Sequence, residues 1–401
     1  MTTNGEPILP NGIIHDLPNG DSPTMALVQP TPEEQLLQTQ KNSEPWRGAL
    51  SFDAYIMREE LLADQEFTRD GGITFWALID TAAKKRLMLS GCESFRKKAL
   101  VSRNGKVQDV QCHGVGSVFC PPEYRRRGYA QRMMKELGEK LKTWQGENLF
   151  SVLYSDIGKA FYNTYGWEPF SSSHISVPAA VSMRPAGVPE ARPLYAENLA
   201  ALCVIDERNT RESMANTTSQ PNMTFVTVVP DVATIRWHHA REEFVANEFH
   251  GRVPKVKGAI VGEPGKRVWC YWTRMWYNKD PMASEGNTLH ILRLVIEEYG
   301  MFIWERPSPE QENDMKKYAS SIASLLHLAQ KEALEWRMAE VEIWNPTATT
   351  IEAARLLDPE AKVVDRDSES IASLRWYGDR TGDGKVADDV HWVGNEKYGW
   401  C

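Results

Sequence analysis

Two kinds of hydrophobic spacing alternate along the first half of the chain. From Val115 to Cys120 the residues are mostly apolar and favour an extended strand. From Gly128 to Lys142 the apolar residues recur every three or four positions, which is the spacing of one helix face. They are Ala130, Met133, Met134, Leu137 and Leu141. The pattern therefore predicts a strand, a short polar turn and an amphipathic helix in direct succession.

Strands and helices continue to alternate through the rest of this half. Thr31-Pro32-Glu33-Glu34 is a typical helix start, with Thr as the N-cap and Pro in the first turn. The predicted elements are a strand at 25–28, helices at 32–41 and 52–63, strands at 73–79, 86–90 and 111–120, a helix at 128–144, a strand at 148–154 and a helix at 157–165. This order predicts an α/β (α+β) domain.

The second half repeats part of this order. Its predicted elements are strands at 258–261, 267–276 and 288–296, a helix at 315–336, a strand at 339–343 and a short helix at 350–357. Four prolines within sixteen positions separate the halves and mark a boundary. We therefore divide the chain into a flexible N-terminal arm (1–24), a first domain (25–177), a Pro-rich linker (178–196) and a second domain (197–401).

Six residues, Arg125-Arg126-Arg127-Gly128-Tyr129-Ala130, form the turn between the predicted strand and helix. The free N–H groups of a helix's first turn, together with the helix dipole, favour an anion at that end. Gly128 lets the backbone approach a ligand closely, and the arginines add charge and donors that suit phosphate. The turn therefore predicts a phosphate-binding site, with a basic cap on an ordinary amphipathic helix as the alternative.

Composition and charge narrow the classes of function. The net charge of −8 argues against bulk nucleic-acid binding and is compatible with a cationic substrate such as an amine. The six cysteines show no CxxC spacing, and no secretory or membrane-spanning run stands out, so we expect reduced thiols in a cytoplasmic protein. No spacing of His, Cys or Asp indicates a metal site. The oligomeric state cannot be read from these residues.

Two motifs together resemble the GNAT superfamily of acetyl-CoA-dependent N-acyltransferases. The first is the Arg-x-x-Gly-x-Ala turn at 125–130, and the second runs from Ser155 through Tyr162 to Gly166-Trp167. Ser155 stands where many relatives have an asparagine. The resemblance implies a GNAT fold with a mixed, splayed central sheet, followed by a second, degenerate GNAT-like domain that shapes the acceptor site. An unrelated α+β domain is the alternative for the second half.

The same resemblance implies how acetyl-CoA would bind. In GNAT proteins the sheet splays open beside the strand before the phosphate turn, and the pantetheine pairs with that strand. The matching residues are Val118, Phe119 and Cys120, with the N–H of Phe119 polarising the thioester carbonyl. The predicted pyrophosphate site consists of Arg125, Arg126, Arg127, Gly128, Tyr129 and Ala130, and Ser155 joins the predicted cofactor residues.

Direct acyl transfer to an amine needs an acid for the leaving thiolate and a base for the ammonium. Tyr162 stands at the matched position of the acid, with Tyr165 as a fallback and a packed helical tyrosine as the alternative. The candidates for the base are His113, whose intrinsic pKa suits the task, and the terminal carboxylate of Cys401, which serves as base in some multidomain relatives. The alternatives are a structural histidine and a tail that merely packs on the second domain.

Longer stretches resemble the fungal L-lysine 6-N-acetyltransferase family. They are FCPPEYRRRGYA (119–130), LYSDIGKAFYNTYGW (153–167), WHHAREEF (237–244), VEIWNP (341–346), SLRWYG (373–378) and NEKYGWC (395–401). The resemblance implies transfer of acetyl to the side-chain amine of free L-lysine, in lysine catabolism. Trp272 and Arg274 are candidates for the acceptor site, with Arg274 for the carboxylate. The alternatives are another amine (a polyamine, an amino sugar or a protein lysine) and a GNAT-like protein that binds acetyl-CoA without turnover.

Overall fold

Helices and strands alternate through the part of the chain that this computed structural model describes, which comprises residues 17–179, 183–216, 223–298, 318–380 and 383–401. The helices are α1 (Pro32–Trp46), α2 (Phe52–Ala63), α3 (Tyr129–Leu141), α4 (Ala160–Asn163), α5 (Ala196–Ala215), α6 (Val232–His250), α7 (Ala319–Glu335), α8 (Ala348–Leu357) and α9 (Val386–Asp389). The strands are β1 (Met25–Val28), β2 (Ile73–Asp80), β3 (Met88–Arg103), β4 (Lys106–Phe119), β5 (Asn148–Ser155), β6 (Glu168–Pro169), β7 (Ser173–Pro178), β8 (Arg192–Leu194), β9 (Thr224–Val228), β10 (Gly258–Val261), β11 (Val268–Met275), β12 (Thr288–Ile296), β13 (Glu340–Trp344), β14 (Val363–Asp365), β15 (Ile371–Trp376) and β16 (Val390–Trp392).

Within the described residues the strands form two mixed sheets. The first has nine strands, in the order β1-β2-β3-β4-β5-β15-β6, with β9 paired to β3 and β16 paired to β9. The second has seven strands, in the order β14-β7-β13-β12-β11-β10-β8. Each sheet contains a parallel pair among antiparallel ones, β4 with β5 and β12 with β13. The predicted α/β class is confirmed.

The parallel pairs β4–β5 and β12–β13 are joined by equivalent crossover helices, and a third parallel pair, β9 with β16, also belongs to the first sheet. Parallel neighbours need such a connection, because a tight turn can join only antiparallel strands. Helix α3 buries Met133 and Leu137 in the core of the first sheet, and α7 buries Ile322 and Leu325 in the core of the second. The units β4-α3-β5 and β12-α7-β13 therefore repeat one arrangement. The predicted start of α7 at 315 lies outside the described residues.

The two sheets exchange strands across the boundary predicted from the prolines. Strand β7 lies at the end of the first domain in the chain but pairs with β13 and β14 in the second sheet. Strand β15 comes from the second half and lies between β5 and β6 in the first sheet. Each half of the chain therefore completes the other's sheet. Residues 180–182 of the predicted linker lie outside the described residues.

From residue 17 onward, the N-terminal arm packs against the predicted phosphate turn, residues 125–130. Arg127 donates from Nη1 to the carbonyl of Leu17 at 2.9 Å, and the N–H of Gly20 donates to the carbonyl of Arg127 at 2.7 Å. Residues 17–24 were predicted to be loose, but these contacts fix them beside the start of α3. Residues 1–16 lie outside the described residues.

Candidate active site

The first sheet opens between β4 and β5, just before the phosphate turn. The two strands pair as far as Val115 and Leu153, and the pairing ends there. Strand β4 continues to Phe119 beside β3 alone, through a bulge at which Ser117 adopts a left-handed φ of 52°. Beyond Val115, the edge of β4 on the side of β5 is no longer paired with that strand. Its main-chain groups are therefore available to a ligand. This is the splay that the sequence motifs led us to expect.

The phosphate turn, residues 125–130, directly precedes α3. Gly128 is the N-cap of the helix at φ 83°, a conformation that glycine adopts without steric cost. The side chains of Arg125 and Arg126 are exposed, and Arg125 donates from Nε to the carbonyl of Cys120 at 3.0 Å. A helix start, a left-handed glycine and exposed guanidinium groups are the components of an anion-binding site.

A cavity of about 1320 Å³ lies between the two sheets, and we call it the central cavity. Its walls come from α1, α2 and the open part of β4 on one side, and from β11, β12 and β13 on the other. Of the residues predicted for the site, Val118, Tyr162, Cys401 and Arg274 line it. The structure therefore brings the splay, the predicted acid and the end of the chain to one place.

Tyr162 lies on α4 with its side chain packed at the wall of this cavity. The residue is 8% exposed, and its ring meets that of Phe161 edge-on at 5.0 Å between centroids. Burial raises the pKa of Tyr162 well above its usual range, with smaller contributions from Cys92 and Asp156. The hydroxyl therefore stays protonated at physiological pH, which is the state that a proton donor needs.

The end of the chain folds into the central cavity. Lys397–Gly399 forms a single 3-10 turn, and the buried Tyr398 donates from its hydroxyl to the carbonyl of Val228 at 2.7 Å. The main-chain oxygen of Cys401 lies 3.1 Å from the position that a Cβ on Gly116 would occupy. The main-chain carbonyl group of Cys401 thus lies against the bulge of β4, where the sheet opens.

A second carboxylate, which the sequence analysis missed, lies at the same bulge. Glu93 on β3 lines the central cavity and accepts a hydrogen bond from Ser117 Oγ at 2.7 Å. Burial, and next the charge of Glu59, raise the pKa of Glu93 to about 7. No local spacing marks this residue, because Glu93 and Ser117 are 24 positions apart and meet only through the pairing of β3 with β4.

His113 does not reach the central cavity. Its side chain is fully buried on the paired part of β4, opposite Ser151 of β5, and its Nε2 lies 3.2 Å from the carbonyl oxygen of Trp144. Burial lowers the pKa of His113 to about 4. Since it contacts only the protein interior below the splay, we withdraw His113 as a candidate for the base.

The positions of Arg274 and Trp272 in the structure do not fit the role in acceptor binding that was predicted for them. Arg274 is 1% exposed, and its guanidinium pairs with Glu242 at 3.0 Å and with Glu332 at 2.6 Å. Trp272 is fully buried in the core of the second sheet. Arg274 touches the cavity wall, but its charge is already neutralised by buried partners, so it is not free to bind an incoming carboxylate.

Ser155 shapes the loop after β5. Its hydroxyl donates to the carbonyl of Gly158 at 2.7 Å and accepts from the N–H of Ile157 at 3.2 Å. The side chain is buried and does not line the central cavity. Its hydrogen bonds instead hold the short turn that leads into α4 and Tyr162.

The six cysteines are all free thiols. Burial raises the pKa of Cys120 to about 11 and that of Cys112 to about 12, so neither is ionised at neutral pH.

The described residues contain no cluster of three or more His, Cys, Asp or Glu that would hold a metal ion. None of the described helices combines the length and the apolar character needed to cross a membrane.

Replacing Arg126 by Ala is expected to weaken acetyl-CoA binding about ten-fold, the order expected for one lost charge-assisted contact. Arg126 is exposed at the turn, so the melting temperature should not change. Isothermal titration calorimetry with acetyl-CoA measures the effect. Arg208→Ala on α5, which removes a similarly exposed arginine, is the matched control. An unchanged affinity at low salt would count against the phosphate turn.

Replacing Glu93 by Gln is expected to remove a pH dependence of stability. The folded protein binds the Glu93 proton more tightly than the unfolded chain does, because the pKa rises from 4.5 to about 7. The stabilisation is complete below pH 4.5 and is lost as the pH rises through 7. Relative to the variant, the wild-type protein should lose about 3 kcal/mol across this window. Urea unfolding at pH 5 and pH 8 tests this, and parallel changes in both proteins would contradict it.

A sheet that splays after a bulge, followed by a glycine-containing basic turn and a crossover helix, defines the class of GNAT N-acyltransferases. The family model described as the LYC1 GNAT-like C-terminal domain matches residues 174–401, and the model described as an acetyltransferase (GNAT) domain matches residues 100–170. The first match covers more than half of the chain, and the chain therefore belongs to the LYC1-like GNAT family. The predicted two-domain GNAT fold is confirmed.

Two fungal proteins are similar along much of their length. An uncharacterized protein of Saccharomyces cerevisiae is 23% identical over 402 residues, covering 90% of this chain and 93% of that protein. A lysine acetyltransferase of Yarrowia lipolytica is 23% identical over 295 residues, covering 63% of this chain and 73% of that protein. The resemblance to the fungal lysine acetyltransferase family is thereby confirmed.

Solved structures share the fold at low sequence identity. A probable N-acyltransferase of Enterococcus faecalis superimposes with a TM-score of 0.50 at 12% identity, covering 88% of this chain and 72% of that one. The N-myristoyltransferase of Saccharomyces cerevisiae, solved with bound myristoyl-CoA, gives a TM-score of 0.51 at 10% identity, covering 91% of this chain and 82% of that one. At these identities the likeness shows the fold alone.

Proposed function

We propose that this protein is an acetyl-CoA-dependent N-acetyltransferase that acetylates the side-chain amine of free L-lysine. The observation that carries the proposal is the central cavity, where the splay of β4, Tyr162 and the terminal carboxylate of Cys401 meet. The lysine acetyltransferase name of the Yarrowia relative supports the choice of acceptor. As the resemblance to that family implies, we further propose a role in lysine catabolism in the cytoplasm.

The first domain would hold acetyl-CoA, which supplies an activated acetyl thioester. Val118, Phe119 and Cys120 on the open part of β4 offer main-chain groups to the pantetheine, and the N–H of Phe119 is the proposed donor to the thioester carbonyl. The phosphate turn, residues 125–130, offers its backbone and arginines to the pyrophosphate. The match of residues 100–170 to the acetyltransferase (GNAT) domain model supports this cofactor class.

The second domain would bind the acceptor amine. We retain 25–177 and 197–401 as the acetyl-CoA domain and the acceptor domain, with β7 and β15 exchanged between their sheets. The walls of the central cavity that come from β11, β12 and β13 belong to the acceptor domain. Positioning both reactants in one enclosed space supplies much of the rate enhancement in a reaction of this kind.

Proton transfer would be divided between the chain end and α4. The terminal carboxylate of Cys401 takes a proton from the acceptor's ammonium, and the neutral amine then attacks the thioester carbonyl. As the new C–N bond forms and the C–S bond breaks, Tyr162 donates its phenolic proton to the departing sulfur. The nitrogen then loses its second proton to give the amide, and this proton restores the phenol of Tyr162. Glu93 has a positioning role, because its Oε2 is already occupied by the hydroxyl of Ser117 in the bulge.

Release of free CoA thiol from acetyl-CoA, measured with one amine at a time, tests the proposal. The panel is L-lysine, ornithine, spermidine, glucosamine and a histone-tail peptide. We expect turnover with L-lysine, and at most weak turnover with the other amines. Turnover with a different amine instead of L-lysine would support the class of reaction but show that L-lysine is not the acceptor. No thiol release with any amine, despite acetyl-CoA binding, would favour a protein that binds acetyl-CoA without turnover.

A further inference from the structure

The acceptor-domain end of the central cavity carries an arginine with unused hydrogen-bond donors. Arg366, just after β14, lines the cavity and is 8% exposed. Its guanidinium lies over the ring of Trp344 at 4.1 Å from the centroid and donates from Nη1 to the carbonyl of Ser173 at 2.8 Å. Its Nε and Nη2 are buried and have no hydrogen-bond partner in the described residues.

A buried guanidinium with unmade hydrogen bonds is unfavourable. Such a group therefore favours a ligand whose oxygens accept those hydrogen bonds. Burial lowers the pKa of Arg366 to about 10, and Arg366 therefore remains a cation at neutral pH. Nε and one Nη form the edge of the guanidinium that binds both oxygens of a carboxylate side by side. The free edge of Arg366 thus has the form of a carboxylate site.

A second basic side chain, Lys397, lies at the ring of Trp344 together with Arg366. Its side chain is 2% exposed, lines the same cavity and forms no ion pair within the described residues. Its Nζ lies 4.5 Å from the centroid of Trp344 and 4.3 Å from that of Trp400. Burial lowers the pKa of Lys397 to about 7, so its amine is only partly protonated at neutral pH. Arg366 therefore provides the permanent positive charge at this end, on an aromatic wall that continues to Trp400, next to Cys401.

Glu342 on β13 supplies the opposite charge at the same place. Its Oε1 accepts from Trp344 Nε1 at 2.7 Å and lies 3.1 Å from His290 Nδ1. Burial opposes its ionisation, but the contacts with His290, His174 and Trp344 together outweigh burial, and the pKa of Glu342 lies well below its usual range. Glu342 and Arg366 influence each other's charge, yet no ion pair joins them in the described part of the chain.

We propose that Arg366 and Glu342 together recognise the head group of an α-amino acid, with Arg366 binding the α-carboxylate and Glu342 receiving the α-ammonium. This assignment rests on the proposed function and deepens it, because it selects a free amino acid over a polyamine or an amino sugar. Lys397 adds positive charge beside the carboxylate only in its protonated form. The acceptor's side chain then follows the aromatic wall towards Trp400 and places its amine near the carboxylate of Cys401.

Binding of L-lysine and L-lysinamide to the wild-type protein tests the carboxylate site without any mutation. The amide retains the chain and both amines but lacks the negative charge. Calorimetric titration in the presence of CoA should show L-lysine binding about 100-fold more tightly, as expected for a buried charge pair. Equal affinities for the two ligands would overturn the proposal, even if L-lysine is acetylated.

Arg366→Met assigns the effect to this residue. We expect the variant to bind L-lysine about 100-fold more weakly and to leave the affinity for L-lysinamide within two-fold of wild type. Equal losses for both ligands, or no loss for L-lysine, would overturn the assignment. Arg366→Lys retains the charge without the paired donors, so we expect an intermediate loss of L-lysine affinity. This variant provides the test if Arg366→Met does not fold. Selective binding without thiol release would reject the proposed function and leave the head-group site standing.

Discussion

Adding one glycine after Cys401 is expected to lower kcat for L-lysine acetylation about 1000-fold, within the range attributed to a positioned base. The extra residue moves the terminal carboxylate by roughly 3.5 Å along the chain. In the native protein that group is held against Gly116 at the point where β4 and β5 separate. Steady-state thiol release measures kcat, and circular dichroism shows whether the extended protein retains its fold.

Cys401→Ser is the matched control for the extended chain. It removes the thiol and leaves the terminal carboxylate in place, so kcat should stay within about two-fold of wild type, because a side chain outside the proton transfer contributes no catalytic step. If the extended protein turns over normally, the terminal carboxylate is not the base. A large loss in Cys401→Ser with the carboxylate intact would instead point to the thiol.

Tyr162→Phe is expected to lower kcat about 100-fold while the affinity for acetyl-CoA is unchanged, since only the proton donor is removed. Phenylalanine preserves the ring and its packing against Phe161, so the melting temperature should be retained. Single-turnover kinetics with saturating acetyl-CoA separate the chemical step from binding.

Tyr165→Phe serves as the control for Tyr162→Phe, because Tyr165 lies on the same short segment but does not line the central cavity. Its kcat should match that of the wild-type protein. A fully active Tyr162→Phe would remove this residue as the acid. Weaker acetyl-CoA binding with an unchanged chemical step would make Tyr162 a binding residue instead.

Local patterns were sufficient for the elements that build the acetyl-CoA site. The apolar stripe of α3 and the sequence Arg125 to Ala130 gave the helix and its basic start, and the capping residues at Thr31 gave the start of α1. These features depend on neighbours within a few positions. For the same reason the twofold β-α-β arrangement was visible in the spacing of apolar residues in both halves.

Helix α5 shows where such patterns fail. It buries Asp206, Asn209 and Thr210 among its apolar residues, which interrupts the stripe that would have predicted it. Asp206 is buried because Arg293 of β12 pairs with it at 2.7 Å. The partner is distant in sequence, so the burial of a charged residue could not be anticipated from its neighbours.

The acceptor site was assigned to the wrong arginine for a similar reason. Arg274 lies in an aromatic strand that resembles the wall of a pocket, but Glu242 and Glu332 neutralise it in the fold. Arg366 follows a short, exposed strand, and only the exchange of β7 into the second sheet brings the carbonyl of Ser173 to it. Arg274 keeps only Nε without a partner, whereas Arg366 keeps both Nε and Nη2, and tertiary pairing decides this difference.

The central claim, acetylation of free lysine at its side-chain amine, is tested most directly by identifying the product. Purified protein is incubated with acetyl-CoA and L-lysine, and tandem mass spectrometry locates the acetyl group while free thiol is counted. The account predicts N6-acetyl-lysine in a one-to-one ratio with CoA. Acetylation at the α-amine, or CoA release without acetylated lysine, would contradict it.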